Sequence, residues 1–287
     1  MQGVFGAGVA TAFQEQNIYP KINAVYGASA GAMVGAYFLS KQTRIGSSIF
    51  WEDFSKDFIS YKGFAIGVWQ RLQDRFIKAV PQNKLRDAVN SNYMMSVVTD
   101  KKRLDTAQIL TQNIPLYVKL FNIDTHSIEY IDARRSDILE ILKAGVNVFP
   151  YTHEVTVIDG KRYIDGAIID IVGIDLLKQK HPKEKIIIVV NGQIDRKLRY
   201  RMKNILEGKF MQWMFNDPAL YNFYASAEDK LARDIKKIKA DPYILLITQE
   251  KDFAVRSRTT DAKLLLDLYN SGIEEGSRAL QSSFMNS

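Results

Sequence analysis

The chain has 287 residues, of which 46% are hydrophobic and 25% are charged, and it carries a formal net charge of +7. This composition is typical of a folded globular protein and excludes a largely disordered chain, while the lack of cysteine excludes disulfides, thiolate metal sites and cysteine nucleophiles. The positive charge suits nucleic acid or anionic lipid, but the basic residues are dispersed and do not alternate with aromatic residues, so we expect no nucleic-acid site.

The first part of the chain is predicted to form a helix, a short strand and a second helix. Apolar residues at helical spacing predict the first helix over residues 4–16, and small residues predict the second over 29–39. A strand is predicted between them over residues 22–26. The apolar stretch 22–39 approaches the length of a membrane span, but a strand, a glycine turn and a helix explain it better.

The rest of the chain alternates strands with helices, which predicts an α/β layered domain without repeats or a linker. Residues 44–112 have mainly helical patterns, with amphipathic pieces at 49–58 and 69–80, and are suited to cover an active site. The further strands are predicted over residues 116–121, 127–131, 155–158, 162–164, 185–190 and 243–248, and the further helices over 137–144, 196–215, 218–239 and 260–280.

The turn between the first strand and the second helix has the sequence Gly27-Ala28-Ser29-Ala30-Gly31. Gly-x-Ser-x-Gly in this position is typical of a nucleophile elbow, in which small neighbours let a serine protrude from a strained turn. The start of the following helix adds free amide donors that favour a developing negative charge. We therefore predict that Ser29 is a nucleophile; the alternative is that it only caps the helix.

A serine nucleophile needs a base, which is commonly histidine. The chain has three histidines, and neither His126, in a hairpin turn, nor His181, after a helix, has a distinctive setting. His153 is the one histidine that we retain as a candidate. The other candidate is Asp165 in Tyr163-Ile164-Asp165-Gly166-Ala167, which ends the second strand of a hairpin around Asp159-Gly160. Taken alone, that aspartate is as well explained by turn capping.

These motifs together resemble those of the patatin-like phospholipases. In that family a glycine-rich loop, a helix and a strand precede Gly-x-Ser-x-Gly, and a long middle region leads to Asp-Gly-Gly or Asp-Gly-Ala. Residues 3–9 are similar to the end of the loop and the first helix, 24–32 to the elbow, and 158–167 to the aspartate motif. The resemblance covers about residues 1–192, and residues 193–287 are similar to the helical tail of bacterial members.

The resemblance implies a three-layer α/β/α sandwich with a mostly parallel central sheet. It implies a single domain over residues 1–287, of which 193–287 form a mainly helical C-terminal portion. The implied activity is that of a serine lipid acyl hydrolase, such as a phospholipase A or lysophospholipase, which forms an acyl-enzyme through a Ser29–Asp165 dyad. Acyl lipids are the implied substrates.

The resemblance also implies roles for the residues around this dyad. Gly3 corresponds to the remnant of the oxyanion loop, Gly27 and Gly31 to the elbow, and Gly166 to the aspartate motif. Asp170 fits a structural position of that motif. The implied mechanism needs no metal and no cofactor, and the sequence has no acidic cluster with calcium-loop spacing.

The chain departs from the family pattern at several positions. The family loop reads Gly-Gly-Gly-x-Arg/Lys-Gly, whereas here Gln2 stands in place of the basic residue and only Gly3 is matched. Residues 143–150 replace the usual Ala-Ser-x-Ala-x-Pro pattern. Since each lost oxyanion donor slows catalysis by about a hundredfold or more, the alternative function is a catalytically weak member that binds a lipid or a protein.

Two further expectations concern partners and location. The basic charge and the aromatic residues suggest peripheral contact with an anionic membrane, although the same aromatics suit a protein core. No leader pattern is visible, so we expect a cytoplasmic protein, in part peripheral at a membrane. A nucleotide loop at Gly6-Ala7-Gly8 is a weaker alternative, since no strand precedes it. The aromatic residues considered are Phe50, Trp51, Phe64, Trp69 and Phe76.

Overall fold

The computed structural model of the protein describes residues 1–54, 90–149, 151–152, 155–192, 198–251, 253–256 and 259–286. Several positions discussed above lie outside these ranges, namely the amphipathic segment 69–80, the aromatic residues Phe64, Trp69 and Phe76, and His153.

The N-terminal elements follow the predicted order. Helix α1 (Val4–Glu15) and a short 3-10 turn lead to strand β1 (Val25–Gly27), which is followed by helices α2 (Ala30–Leu39) and α3 (Thr43–Glu52). The apolar stretch 22–39 is thus divided between a strand, a turn and a helix, as predicted. Among the described helices, none combines the length and the apolar character needed to cross a membrane.

The middle and C-terminal elements alternate as the sequence predicts. The strands are β2 (Leu116–Asn122), β3 (Ser127–Asp132), β4 (Thr156–Ile158), β5 (Lys161–Asp165), β6 (Ile186–Val190) and β7 (Ile244–Thr248). The helices are α4 (Ser91–Ser96), α5 (Thr106–Leu110), α6 (Ile138–Val146), α7 (Ile174–Lys180), α8 (Leu198–Phe215), α9 (Pro218–Ala240), α10 (Ala262–Gln281) and α11 (Ser283–Asn286).

Strand β2 is the central strand of the main sheet. Along one edge it pairs with β3 in antiparallel orientation from Tyr117 to Asn122. Along the other edge its first half pairs with β1 in parallel, and its second half pairs with β5 in antiparallel orientation. Strand β4 continues the sheet beyond β5. Two different strands therefore share one edge of β2.

Strands β6 and β7 form a second, parallel pair from Ile186↔Ile244 to Val190↔Thr248. Helices α7 and α9 cover this pair, because Ile174 and Leu231 pack with Ile188 in one buried cluster. The predicted α/β fold, with helices around a central sheet as in a three-layer sandwich, is confirmed. The sheet is mixed, whereas a mostly parallel one was predicted, because β3, β4 and β5 join it through hairpins and antiparallel pairs.

Helix α1 packs backbone to backbone against α10. A Cβ on Gly8 would lie 2.1 Å from the Tyr269 carbonyl oxygen, and one on Gly272 would lie 2.2 Å from the carbonyl oxygen of Phe5. Residues Gly6, Ala7 and Gly8 are buried within α1 and do not form a loop. The interpretation of these residues as a nucleotide loop is therefore wrong, since Gly8 serves helix packing.

Candidate active site

The ends of two strands approach each other along the shared edge of β2. Gly27, the last residue of β1, lies opposite Val118, and Asp165, the last residue of β5, lies opposite Leu120. Because β1 is parallel to β2 and β5 is antiparallel to it, the two strands run toward each other. Two residues of strand span about 7 Å. This register brings Asp165 close to Ser29, two residues beyond Gly27.

Ser29 occupies a strained turn between β1 and α2. Its backbone angles are φ 51° and ψ −131°, which is an unfavourable region for a residue with a side chain. Gly27 must be glycine, since a Cβ there would lie 2.5 Å from Ala32 Cα, whereas a Cβ on Gly31 would meet no atom within 4 Å. The turn therefore presents Ser29 at the amino end of α2, where the helix dipole is positive. The Gly31 N–H donates to the Ala28 carbonyl oxygen at 2.8 Å, and the Ala32 N–H to that of Ser29 at 3.0 Å.

Gly3 approaches this turn from the start of α1. A Cβ on Gly3 would lie 2.5 Å from the Ala30 Cβ and 3.2 Å from Phe50 Cζ. The Gly3 backbone therefore lies close to Ala30, the residue that follows Ser29. The neighbouring Gln2 side chain lies against Gly192, where an added Cβ would be 2.9 Å from Gln2 Nε2.

Asp165 is a buried carboxylate, with 1% of its surface exposed. Its backbone N–H donates to the Asn147 carbonyl oxygen at 3.1 Å, and its Oδ1 accepts from the Ala167 N–H at 2.8 Å. Burial raises the pKa of Asp165 to about 6, although the Ala167 N–H, the Ser29 hydroxyl and the charge of Lys119 each act to lower it. The hydroxyl and the backbone N–H of Ser29 lie near enough to this carboxylate to lower its pKa.

The segment after Asp165 is anchored to β2. A Cβ on Gly166 would lie 2.9 Å from the Lys119 carbonyl oxygen, so the close approach of this segment to β2 requires glycine. The buried Lys119 ammonium donates to the carbonyl oxygen of Asp170, whose Oδ1 accepts from the Gly173 N–H at 2.7 Å. Asp170 thus has the structural setting that was predicted for it. Lys119 was not predicted as a site residue, although a single lysine in the apolar strand sequence LYVKLFN was a signal for it.

The two described histidines have partners outside this turn. His126 Nε2 contacts Asp217 Oδ2, and His181 Nε2 lies 2.7 Å from the Tyr26 hydroxyl. The remaining candidate, His153, is outside the described residues. Within the described ranges, no group of three or more histidine and acidic side chains is arranged to hold a metal ion.

An apolar cavity of about 30 Å³ lies between α1, α2 and α3. Ala30, Met33, Val34 and Tyr37 are spaced by three or four residues along α2, so they share one face of that helix. Met33, Val34 and Tyr37 line the cavity, as does the Phe50 side chain that contacts Gly3. The cavity therefore begins about one helical turn, or roughly 6 Å, from Ser29.

The chain is similar to a protein family and to solved structures. The family model described as patatin-like phospholipase matches residues 1–178. The crystal structure of VipD from Legionella pneumophila superposes on this chain with a TM-score of 0.47 and 11% sequence identity, over 97% of this chain. This chain covers 64% of the length of that one. A comparison with curated proteins finds no match.

Proposed function

Because the chain belongs to the patatin-like phospholipase family, whose members are generally carboxylic ester hydrolases that act on lipids, we propose that it is a serine lipid acyl hydrolase with a Ser29–Asp165 dyad. The observation that carries this proposal is the proximity of a buried carboxylate to a serine held at φ 51°. Seven described non-glycine residues have a positive φ, and the φ 51°, ψ −131° of Ser29 lies in a region that residues with a side chain rarely adopt, as active-site residues often do.

In the first step Asp165 acts as the general base. Its carboxylate accepts the Ser29 hydroxyl proton while Oγ attacks the ester carbonyl carbon, and the negative charge moves to the carbonyl oxygen. We assign this oxyanion to the positive end of α2 and to the backbone near Gly3, which approaches Ala30 beside Ser29. The leaving alcohol then takes the proton from Asp165 as the carbon–oxygen bond of the ester breaks.

In the second step a water molecule cleaves the acyl-enzyme. Asp165 accepts a proton from the water as its oxygen attacks the acyl carbon, and the proton returns to Ser29 Oγ as the fatty acid leaves. A carboxyl with a pKa near 6 is ionised at neutral pH and is still a stronger base than an ordinary aspartate. Burial thus supports the assignment of Asp165 as the base.

The proposed substrate is an ester with an apolar acyl chain. The cavity between α1, α2 and α3 begins about one helical turn from Ser29 and has an apolar lining; its volume of about 30 Å³ fits about one methylene group, so an acyl chain has to widen it. Its lining side chains are alkyl, aromatic and small, which suits hydrocarbon and gives little discrimination among headgroups. A phospholipid, a lysophospholipid or another acyl lipid meets this requirement.

The dyad is tested with Ser29→Ala and Asp165→Asn on a soluble nitrophenyl acyl ester. We expect both variants to lose at least a hundredfold in kcat/KM, since each removes a group that takes part in every step. Ser40→Ala at the end of α2 and Asp124→Asn on the surface are the matched controls. Full activity of either dyad variant would exclude this mechanism.

The alternative, a catalytically weak member that binds lipid or protein, is favoured by Gln2 in place of the family's basic residue. A fluorophosphonate probe separates the two functions, because it reacts with an activated serine and leaves an inactive one unlabelled. We expect labelling of the parent protein that Ser29→Ala abolishes. An unlabelled, folded parent protein would favour the binding function.

A further inference from the structure

Helix α8 has an exposed apolar face. Met202 and Leu206, each 64% exposed, are the most exposed large hydrophobic side chains among the described residues. They are four residues apart on one helix and are therefore neighbours on its surface. A single exposed aliphatic side chain is ordinary, whereas contiguous exposed apolar side chains are typical of interaction sites.

The opposite face of α8 provides the packing of this helix. Met211 is completely buried, and a Cβ on Gly208 would lie 3.0 Å from the backbone of Tyr221 in α9. Helix α8 therefore packs on the protein through the face that carries Gly208 and Met211, and Met202 and Leu206 are not part of the core.

The exposed row continues toward the end of the helix. Residues 202, 206, 209 and 213 are spaced by four, three and four positions, which places them on one stripe. Lys209 is exposed, and the half-buried Trp213 ring lies 5.7 Å from that of Phe210. Tryptophan and lysine beside aliphatic residues are the combination found where a protein meets the boundary between lipid and water. We call Met202, Leu206, Lys209 and Trp213 the outer face of α8.

The charge of α8 matches an anionic surface. Its sequence contains Arg199, Arg201, Lys203 and Lys209 against one acidic residue, Glu207. Glu207 is 11% exposed, pairs with Lys203 at 3.3 Å and accepts a hydrogen bond from the Tyr151 hydroxyl. Among the described side chains of α8, Lys209 is exposed and Lys203 is half exposed, so the charge that they present is positive, as is the net charge of +7 for the whole chain.

Helix α8 is connected to the proposed base Asp165 through contacts with the segment around Asn147 and Tyr151. Glu207, next to Leu206, binds Tyr151, and the Tyr224 hydroxyl donates to the Phe149 carbonyl oxygen at 3.3 Å. The same segment supplies the carbonyl oxygen of Asn147 that accepts from the Asp165 N–H at 3.1 Å. A surface bound at α8 is thus held next to the segment that positions Asp165.

We propose that the outer face of α8 docks the protein on an anionic lipid bilayer, with Met202 and Leu206 at the acyl-chain boundary and Lys209 at the lipid phosphates. The choice of lipid as the partner rests on the proposed function, but the docking itself does not require hydrolysis. Basic amphipathic surfaces of this kind bind in the plane of the bilayer through buried apolar area and through attraction to anionic headgroups.

Docking is measured by co-sedimentation with phosphatidylserine–phosphatidylcholine vesicles, using Ser29→Ala protein so that the lipids stay intact. We expect the further change Met202→Ser/Leu206→Ser to weaken binding by about tenfold or more, and Lys209→Glu to weaken it severalfold at low salt. Leu266→Ser in α10, which removes another exposed leucine, is the matched control and should bind normally. Vesicles of phosphatidylcholine alone should bind weakly.

The same double change is also made in protein that retains Ser29. This Met202→Ser/Leu206→Ser protein should hydrolyse a soluble nitrophenyl ester at the parent rate and lose activity only on vesicles. Inactivity of both proteins on the soluble ester would contradict the proposed hydrolase, while leaving the docking measurement valid. Unchanged vesicle binding by Met202→Ser/Leu206→Ser would overturn the docking proposal. A second result would also overturn it: a parent protein that is dimeric, does not bind vesicles and becomes monomeric in Met202→Ser/Leu206→Ser. In that case the outer face of α8 would contact a second copy of the chain.

Discussion

The Lys119 ammonium donates a hydrogen bond to the backbone carbonyl oxygen of Asp170, five residues beyond the proposed base Asp165. Lys119 is 1% exposed, and its burial lowers its pKa, while the nearby charges of Asp170 and Asp165 raise it. One buried cation therefore serves two purposes. It anchors the segment that follows Asp165, and its charge favours the ionised form of that carboxyl.

The first prediction concerns the acid limb of the pH–rate profile. With the pKa of Asp165 near 6, kcat/KM on a soluble ester should fall about tenfold per pH unit below pH 6. Lys119→Met removes a cation that lowers this pKa, so the limb should move to higher pH and activity should recover above pH 8. Lys236→Met, at an exposed position of α9, should leave the limb in place.

If Lys119→Met only removed the hydrogen bond to the Asp170 carbonyl oxygen, stability and activity would decrease at every pH, and the acid limb of the pH–rate profile would not move. An unchanged limb in a folded Lys119→Met protein would therefore show that its charge does not act on the base.

The second prediction concerns stability and its dependence on pH. Asp165 has a pKa raised from 3.8 to about 6, so between these values the folded state binds more protons than the unfolded state. The free energy of unfolding therefore decreases as pH rises through this window, by roughly 3 kcal/mol for a shift of about two units. Asp165→Asn has no such ionisation and should be more stable than the parent at pH 8.

Thermal denaturation at two pH values checks this prediction. The advantage of Asp165→Asn in Tm should be large at pH 8 and should nearly vanish at pH 4, where the parent carboxyl is protonated in the folded state. Asp124→Asn, whose carboxylate pairs with Arg162 and has a lowered pKa, should show no gain in Tm at pH 8. A lower Tm for Asp165→Asn at pH 8 would contradict this account.

The third prediction separates the two elbow glycines. Gly27→Ala places a methyl group 2.5 Å from Ala32 Cα, so the turn must shift, and we expect loss of activity together with a destabilisation of about 1–3 kcal/mol. Gly31→Ala meets open space within the first turn of α2 and should be as stable as the parent or more stable. Denaturant unfolding and ester hydrolysis distinguish the two variants; equal losses of stability would contradict the turn geometry.

The fourth prediction concerns the acyl chain. Met33→Ala enlarges the cavity between α1, α2 and α3, so the ratio of kcat/KM for long against short nitrophenyl esters should increase severalfold. The change also removes packing and should cost about 2–5 kcal/mol of stability. Met211→Ala in α8 removes a buried methionine outside this cavity, and it should lower stability without changing the ratio. The same ratio in Met33→Ala and in the parent would place the acyl chain elsewhere.

The sequence was sufficient to predict the elbow serine, the aspartate motif and the order of the elements, because each depends on local patterns. The proximity of Ser29 and Asp165 is different, since it depends on β1 and β5 sharing one edge of β2. Pairing partners and orientation are set by long-range contacts, which also explains why the sheet is mixed.

Two other features needed the structure. Lys119 stands out only when its burial and its acceptor are known, since a lysine in a strand is commonly exposed. From the sequence, Gly8 was compatible with a loop. The structure shows that it packs against Tyr269 of α10.

The meeting of β1 and β5 on β2 has a consequence for folding. The serine and the aspartate come from segments that are far apart in the chain, and neither is in position until both strands have paired with β2. Such non-local pairing is slow compared with helix formation. Labelling of Ser29 by an active-site probe during refolding would therefore time the completion of the sheet, and two separately expressed halves of the chain would react only once they had reassembled.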